Sequence, residues 1–178
     1  MARLPFVDPT ACPADVRGAL EALPDLNLFR MLAHAESAFT PYLSFGSAML
    51  LELELDPALR ELAILQVARS AECRYEWDQH VAIGRHAGLS EAQIAAVEQG
   101  GASEAVLSAS ARAVIAFADE VVRVPRPSDE TFARLREHLS TRQIVELLLV
   151  IGNYLMLARL LTALDVEVDL AAASPVDG

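Results

Sequence analysis

The sequence predicts an all-α fold, a single-domain helical bundle, and three observations carry that prediction. Apolar residues recur at helical spacing along most of the chain, with almost no strand-like alternation. Helix-start signals punctuate the apolar stretches: Asp56-Pro57, Ser90 with Gln93, Ser128, and Ser140 with Gln143. The 178 residues, 53% of them hydrophobic, suffice for one substantial core, and no linker marks a second domain, so the expected domain is 1–178.

Taken in order, residues 13–23 alternate apolar and polar at helical spacing and form the first expected helix. Residues 28–38 and 42–53 read as two more, with Pro41 near the first turn of the second. Asp56 caps a helix through about Ser70, and Pro57 suits its first position because its missing N–H has no helical partner there. The next helix begins near Cys73 and is ended by Gly88. Ser90 with Gln93 forms a capping box for a short helix that stops at Gly100-Gly101. Ser108 starts a helix to about Val122, Pro125 and Pro127 mark a loop, and Ser128 caps a helix to His138. Ser140 with Gln143 caps the long final helix, and the tail 170–178 is expected to fray.

The chemistry concentrates in residues 61–80. From Cys73 onward, Glu76, Trp77 and His80 fall at i+3, i+4 and i+7, a spacing that predicts one shared helix face. Cys73 and His80 are then two turns apart, roughly 10 Å along the axis, with Glu76 between them. Glu61 lies in the apolar helix Leu62-Ala-Ile-Leu-Gln-Val-Ala, where an ionised carboxylate is costly unless a partner satisfies it. A proton relay to His80 is such a partner.

The spacing Glu61, Cys73, position 76, His80 resembles the motif E-x11-C-x2-C-x3-H of the peroxidase branch of the carboxymuconolactone decarboxylase and alkyl hydroperoxidase D superfamily. The resemblance covers about residues 28–100, through Arg60-Glu61-Leu62, Cys73-Arg74-Tyr75-Glu76-Trp77, Gln79-His80-Val81 and His86-Ala87-Gly88-Leu89-Ser90, and continues weakly into 141–168. It implies a helical bundle that works without metal and assembles as a homo-oligomer, a trimer or hexamer. It also implies catalytic roles for His80, Glu61 and Cys73. The chain departs where that branch carries its second cysteine, because Glu76 stands there and the reversible intramolecular disulfide cannot form.

Each of these residues also has a plainer reading. Cysteine is among the most buried residue types, so Cys73 outside the motif is a small core residue, and Cys12 in its polar stretch is read as structural outright. Tyr75 and Trp77 are packing or substrate-pocket wall groups. His34 is a further pocket candidate that no spacing compels, while His86 and His138 suit the last turns of their helices, where a cation is favoured. Cys73, Glu76 and His80 fall at metal-friendly spacings, but C-x2-E-x3-H alone is a weak signal, and neither metal nor cofactor is expected.

Charge and composition exclude several classes. The formal net charge is −11, from 25 acidic and 14 basic residues without a basic cluster, which argues against nucleic-acid or anionic-membrane partners. The apolar run from Ile144 to Leu164 is long enough to span a bilayer, but Glu146, Asn153 and Arg159 interrupt it, so a buried or interface helix is expected. Two cysteines and an N-terminus without an apolar signal core point to the cytoplasm. Phosphate-binding glycine loops and a G-x-S-x-G elbow are absent. A mean hydropathy of +0.31 adds apolar surface that suits assembly.

These readings converge on a cofactor-free acid/base enzyme with a small-molecule substrate, a lactone or related carboxylic acid. His80 serves as general acid/base, Glu61 as its orienting carboxylate, Glu76 as a second acid/base and Cys73 as a pocket thiol. The alternatives are a one-cysteine peroxidase using Cys73 and a non-catalytic member that binds a ligand or only assembles.

Overall fold

The computed structural model describes residues 1–100 and 104–169, and among these the chain is helical without strands. The helices are α1 (Ala14–Glu21), α2 (Asn27–Leu32), α3 (Glu36–Leu51), α4 (Pro57–Ser70), α5 (Arg74–His86), α6 (Glu91–Glu98), α7 (Ala109–Arg123), α8 (Asp129–Arg136) and α9 (Thr141–Ala163). A short 3-10 turn, Pro9–Ala11, precedes them. The expected fraying of 170–178 and the stop at Gly101 lie outside the described residues.

α4 is the axis of the fold. Asp56 Oδ1 accepts from the amides of Ala58 and Leu59 at 2.9 and 3.0 Å, satisfying two of the donors that a helix start leaves free. From Arg60 to Ala68 every residue is buried. A helix buried on all sides is internal, and α4 packs against α5, α6, α7 and α9. Its opposite faces feed two cores: Ala63, Ile64 and Val67 join Phe117, Leu147 and Ile151, whereas Leu62, Leu65 and Ala68 join Trp77, Ile94 and Leu107. Each fully buried Leu or Ile here stabilises by roughly 1.5–3 kcal/mol relative to exposure.

α4 turns into α5 within three residues. The Cys73 amide donates to Ala68 O at 2.8 Å and the Glu72 amide to Arg69 O at 3.1 Å, the two bonds of a Schellman closure. Glu72 occupies its left-handed position at φ 55°, where glycine is more usual. At the far end of α5, Gly88 supplies the same conformation at φ 96°.

One boundary differs from the sequence expectation. The second and third helices divide at 33–35, and Pro41 lies inside α3, where it forfeits one intrahelical hydrogen bond. Tertiary contacts set the division: Ala33 and Phe39 pack beside Val16 of α1, and His34 Nε2 lies 2.7 Å from Pro5 O.

α9 begins with the expected capping box of Ser140 and Gln143. It is long and apolar enough to cross a membrane by length and composition, and 56% of its most apolar window is buried inside the fold. Its outer face exposes Val145, Leu148, Leu149 and Met156, beside Phe45 of α3.

Candidate active site

Glu61 is fully buried, and both of its carboxylate oxygens are engaged. Oε1 accepts from Arg60 Nε at 2.9 Å and Oε2 lies 2.8 Å from His80 Nδ1. Arg60 is itself buried and donates from Nη1 to Leu50 O at 2.5 Å. Burial alone pushes the Glu61 carboxyl up, but His80 and then Arg60 outweigh it and hold the group below the usual carboxylate range. With Nδ1–H directed at Glu61, Nε2 is the ring nitrogen left to exchange a proton, and it makes no hydrogen bond among the described residues. The Tyr154 ring meets the imidazole edge-on, with centroids 4.7 Å apart at 87°. Burial, followed by the nearby Glu61, keeps the Tyr154 hydroxyl protonated.

Glu76, one turn before His80 on α5, has the opposite environment. It is 3% exposed, and neither carboxylate oxygen has a hydrogen-bond partner. Desolvation pushes its carboxyl up to about 9, so it is a neutral acid at pH 7. Only when ionised does it act on Tyr42 of α3 and Tyr154 of α9. Tyr42 is pushed up to about 12 by burial, a shift that the adjacent Asn153 amide opposes and Glu76 reinforces. Asn153 is buried too, and its Oδ1 is unpartnered.

The remaining expected residues separate from this pair. Cys73 is the N-cap of α5 and 3% exposed, and burial pushes its thiol up. It borders a cavity of about 240 Å³ with Ala68, Arg69, Arg74, Trp77 and Glu98, which neither Glu76 nor His80 lines. The single face expected for Cys73, Glu76, Trp77 and His80 is therefore divided. Trp77 packs toward α6 beside Leu62 and Ile94, because each residue turns the helix by about 100° and carries it off the Glu76 side. Tyr75 is a structural clasp: its hydroxyl donates to Asp169 and accepts from the Leu28 amide at 3.3 Å. His34 is exposed and tied to Pro5, not gathered with Glu61 and His80. Among the described residues no three His, Cys, Asp or Glu side chains converge as metal ligands.

Sequence reasoning missed Tyr42, Asn153 and Tyr154. Asn153 carried a signal, as a polar residue interrupting the apolar run of α9; the two tyrosines carried none, since they reach the site only by tertiary packing.

Residues 37–120, the stretch that holds all four motif residues, match the carboxymuconolactone decarboxylase family. No curated protein matches the chain in sequence. Among solved structures, the alkylhydroperoxidase AhpD core of an uncharacterised peroxidase-related protein from Ralstonia eutropha JMP134 superimposes with a TM-score of 0.83 at 21% identity, covering 95% of this chain and 93% of that one. A peroxidase-related protein from Silicibacter sp. TM1040 gives 0.79 at 18% identity, covering 96% and 93%. The debrominase Bmp8, as a substitution variant in complex with 2,3,4-tribromopyrrole, gives 0.77 at 16% identity, covering 96% and 95%. The motif, the family match across it and the shared helical fold agree: residues 37–120 are a match to the carboxymuconolactone decarboxylase family, and the chain has the fold of the alkylhydroperoxidase AhpD core.

Proposed function

We propose that the protein is a cofactor-free acid/base enzyme acting on a small lactone or related carboxylic acid, by decarboxylation or isomerisation. One observation carries this reading: two buried carboxyls near one imidazole are driven apart, Glu61 held ionised by His80 and Arg60, Glu76 held protonated by desolvation. Such opposed pairs mark acid and base assignments. His80 Nε2 takes a proton from the substrate while Glu61 orients the ring and stabilises the imidazolium that forms. Glu76, as the neutral acid, delivers a proton to the opposite end of the rearranging system. A positioned His typically supplies a rate factor of about 10²–10⁴.

The test is turnover on a panel of small lactones and carboxylic acids, followed by NMR in D₂O for exchange, isomerisation and loss of carboxylate. His80→Ala and Glu61→Gln should each lower turnover about a hundredfold, about 2.7 kcal/mol, while Cys73→Ser is mild. The one-cysteine peroxidase alternative reverses that ranking, and turnover of peroxide abolished only by Cys73→Ser would sink the acid/base reading. The non-catalytic alternative is supported if no panel member reacts. We also propose that the protein assembles as a homo-oligomer, a trimer or hexamer, through the exposed apolar face of α9.

A further inference from the structure

α9 carries an apolar stripe on its outer face. Val145, Leu148, Leu149 and Met156, with Phe45 of α3 beside them, are each 40–52% exposed. Positions 145, 148, 149, 152 and 156 follow one another at helical spacing and so lie along one side of the helix. The five apolar side chains leave roughly 450 Å² bare, over half of the ~800 Å² that each partner buries in an interface of standard size. Gly152 stands at the centre of α9, with eleven helical residues on either side of it between Thr141 and Ala163. Glycine destabilises a helix relative to alanine, and the protomer does not require it here, because a Cβ built at Gly152 meets no atom within 4 Å. What the missing side chain permits is the close approach of a second backbone.

The pattern around Gly152 identifies that backbone. Leu148 and Leu149 precede it and Leu155 and Met156 follow it, so a half-turn about an axis through Gly152 lays each apolar pair against the other pair of a second copy. A face that meets its own copy must be complementary to itself in this way, whereas an unrelated partner imposes no such symmetry. The stripe is uncharged from Val145 to Met156, so two chains of net charge −11 meet on it without opposing their carboxylates. Charge also sets the orientation. The stripe ends at Arg159, which is exposed and makes no ion pair among the described residues. Parallel pairing would set the two Arg159 side chains at one level, whereas antiparallel pairing puts them about 20 Å apart along the axis and aligns the helix dipoles in opposite senses.

We propose that α9 pairs with α9 of a second copy of this chain, antiparallel and two-fold symmetric, with Gly152 facing the partner's Gly152 on the axis. The inference rests on the assembly through α9 proposed above and fixes its symmetry, orientation and register. A two-fold contact closes on two copies, so of the two expected sizes it admits the hexamer, as three such pairs, and excludes the trimer. The partner's α9 then lies over the open groove between α3 and α9, bordered by Tyr42 and Asn153, and completes the outer wall of the candidate site on that side.

Cysteine cross-linking of the full chain tests it, in a Cys12→Ser background where the one native thiol left, Cys73, is buried. Under mild oxidation Gly152→Cys should form a disulfide-linked dimer, because residues facing each other across the axis fall within the roughly 4.4–6.8 Å between Cα atoms that a disulfide spans. Leu149→Cys and Met156→Cys should each fail to link to themselves, since two copies of position 149 lie about 9 Å apart along the axis and two of 156 farther. Mixed and allowed to exchange subunits, these two variants should link to each other. Gly152→Glu, whose side chain is unobstructed within the protomer, sets two carboxylates together on the axis and should halve the mass seen by light scattering with helix content unchanged. Self-linking of Leu149→Cys, which reports parallel pairing, an odd number of copies, or a mass indifferent to Gly152→Glu would each overturn the proposal. An oligomer in which Gly152→Cys does not cross-link overturns this pairing and leaves the assembly standing, whereas a wild type that is monomeric at micromolar concentration defeats both.

Discussion

Replacing Glu76 by glutamine should stabilise the protein at neutral pH by an amount that grows with pH. The carboxyl is buried without a partner and is pushed up to about 9, whereas in the unfolded chain it returns to its ordinary value of 4.5. Below pH 4.5 both states hold the proton and the group imposes no penalty. Between 4.5 and 9 the unfolded state releases a proton that the folded state keeps, so stability falls by about 1.4 kcal/mol per pH unit, and it levels off above 9. From pH 4.5 to pH 7 the loss from this one side chain is roughly 3 kcal/mol, a large share of the ~5–15 kcal/mol that holds a domain together. Glutamine keeps the shape but has no proton to lose. Urea denaturation of both proteins at pH 5, 6, 7 and 8, followed by circular dichroism, isolates the effect, because the other titrating groups cancel in the difference. The gap in favour of Glu76→Gln should widen steadily across that range. A constant gap, or a wild type that stays the more stable at pH 8, would refute the assignment of Glu76 as a neutral acid.

The buried thiol and the exposed apolar face give two further expected outcomes. After a peroxide pulse with dimedone present, mass spectrometry should find Cys73 unmodified, since burial pushes its thiol up and the thiolate is the reactive form; rapid labelling would revive the redox alternative. Light scattering should report at least a dimer, and a monomer at micromolar concentration would remove the α9 face as an assembly surface.

The features legible in the sequence were mostly local. Asp56, Ser90, Ser108, Ser128 and Ser140 each bond to amides two or three residues ahead, so those helix starts follow from neighbouring residues alone. The α2–α3 division escaped the same reasoning because Pro41, the strongest local breaker, was outweighed by packing against α1 and the bond from His34 to Pro5. In the site, Glu61 stood out as a carboxylate in an apolar helix, and the structure places it against His80. The role of Glu76 depends on having no partner, and no spacing rule encodes that. Tyr42, Asn153 and Tyr154 come from helices remote in sequence, so their presence follows only from how α3 and α9 dock.

The brevity of the α4–α5 turn bears on how such proteins change their chemistry. Glu61 and His80 are 19 residues apart, within a single helical hairpin whose closure is fixed by bonds of the chain to itself and by Glu72 in a left-handed conformation. The relay is thus assembled at short sequence separation and needs no long loop to close. Position 76 projects from the second arm of that hairpin and takes part in none of the bonds that close it. A change at this one position can therefore exchange a thiol for a carboxyl while leaving the bonds that close the hairpin untouched.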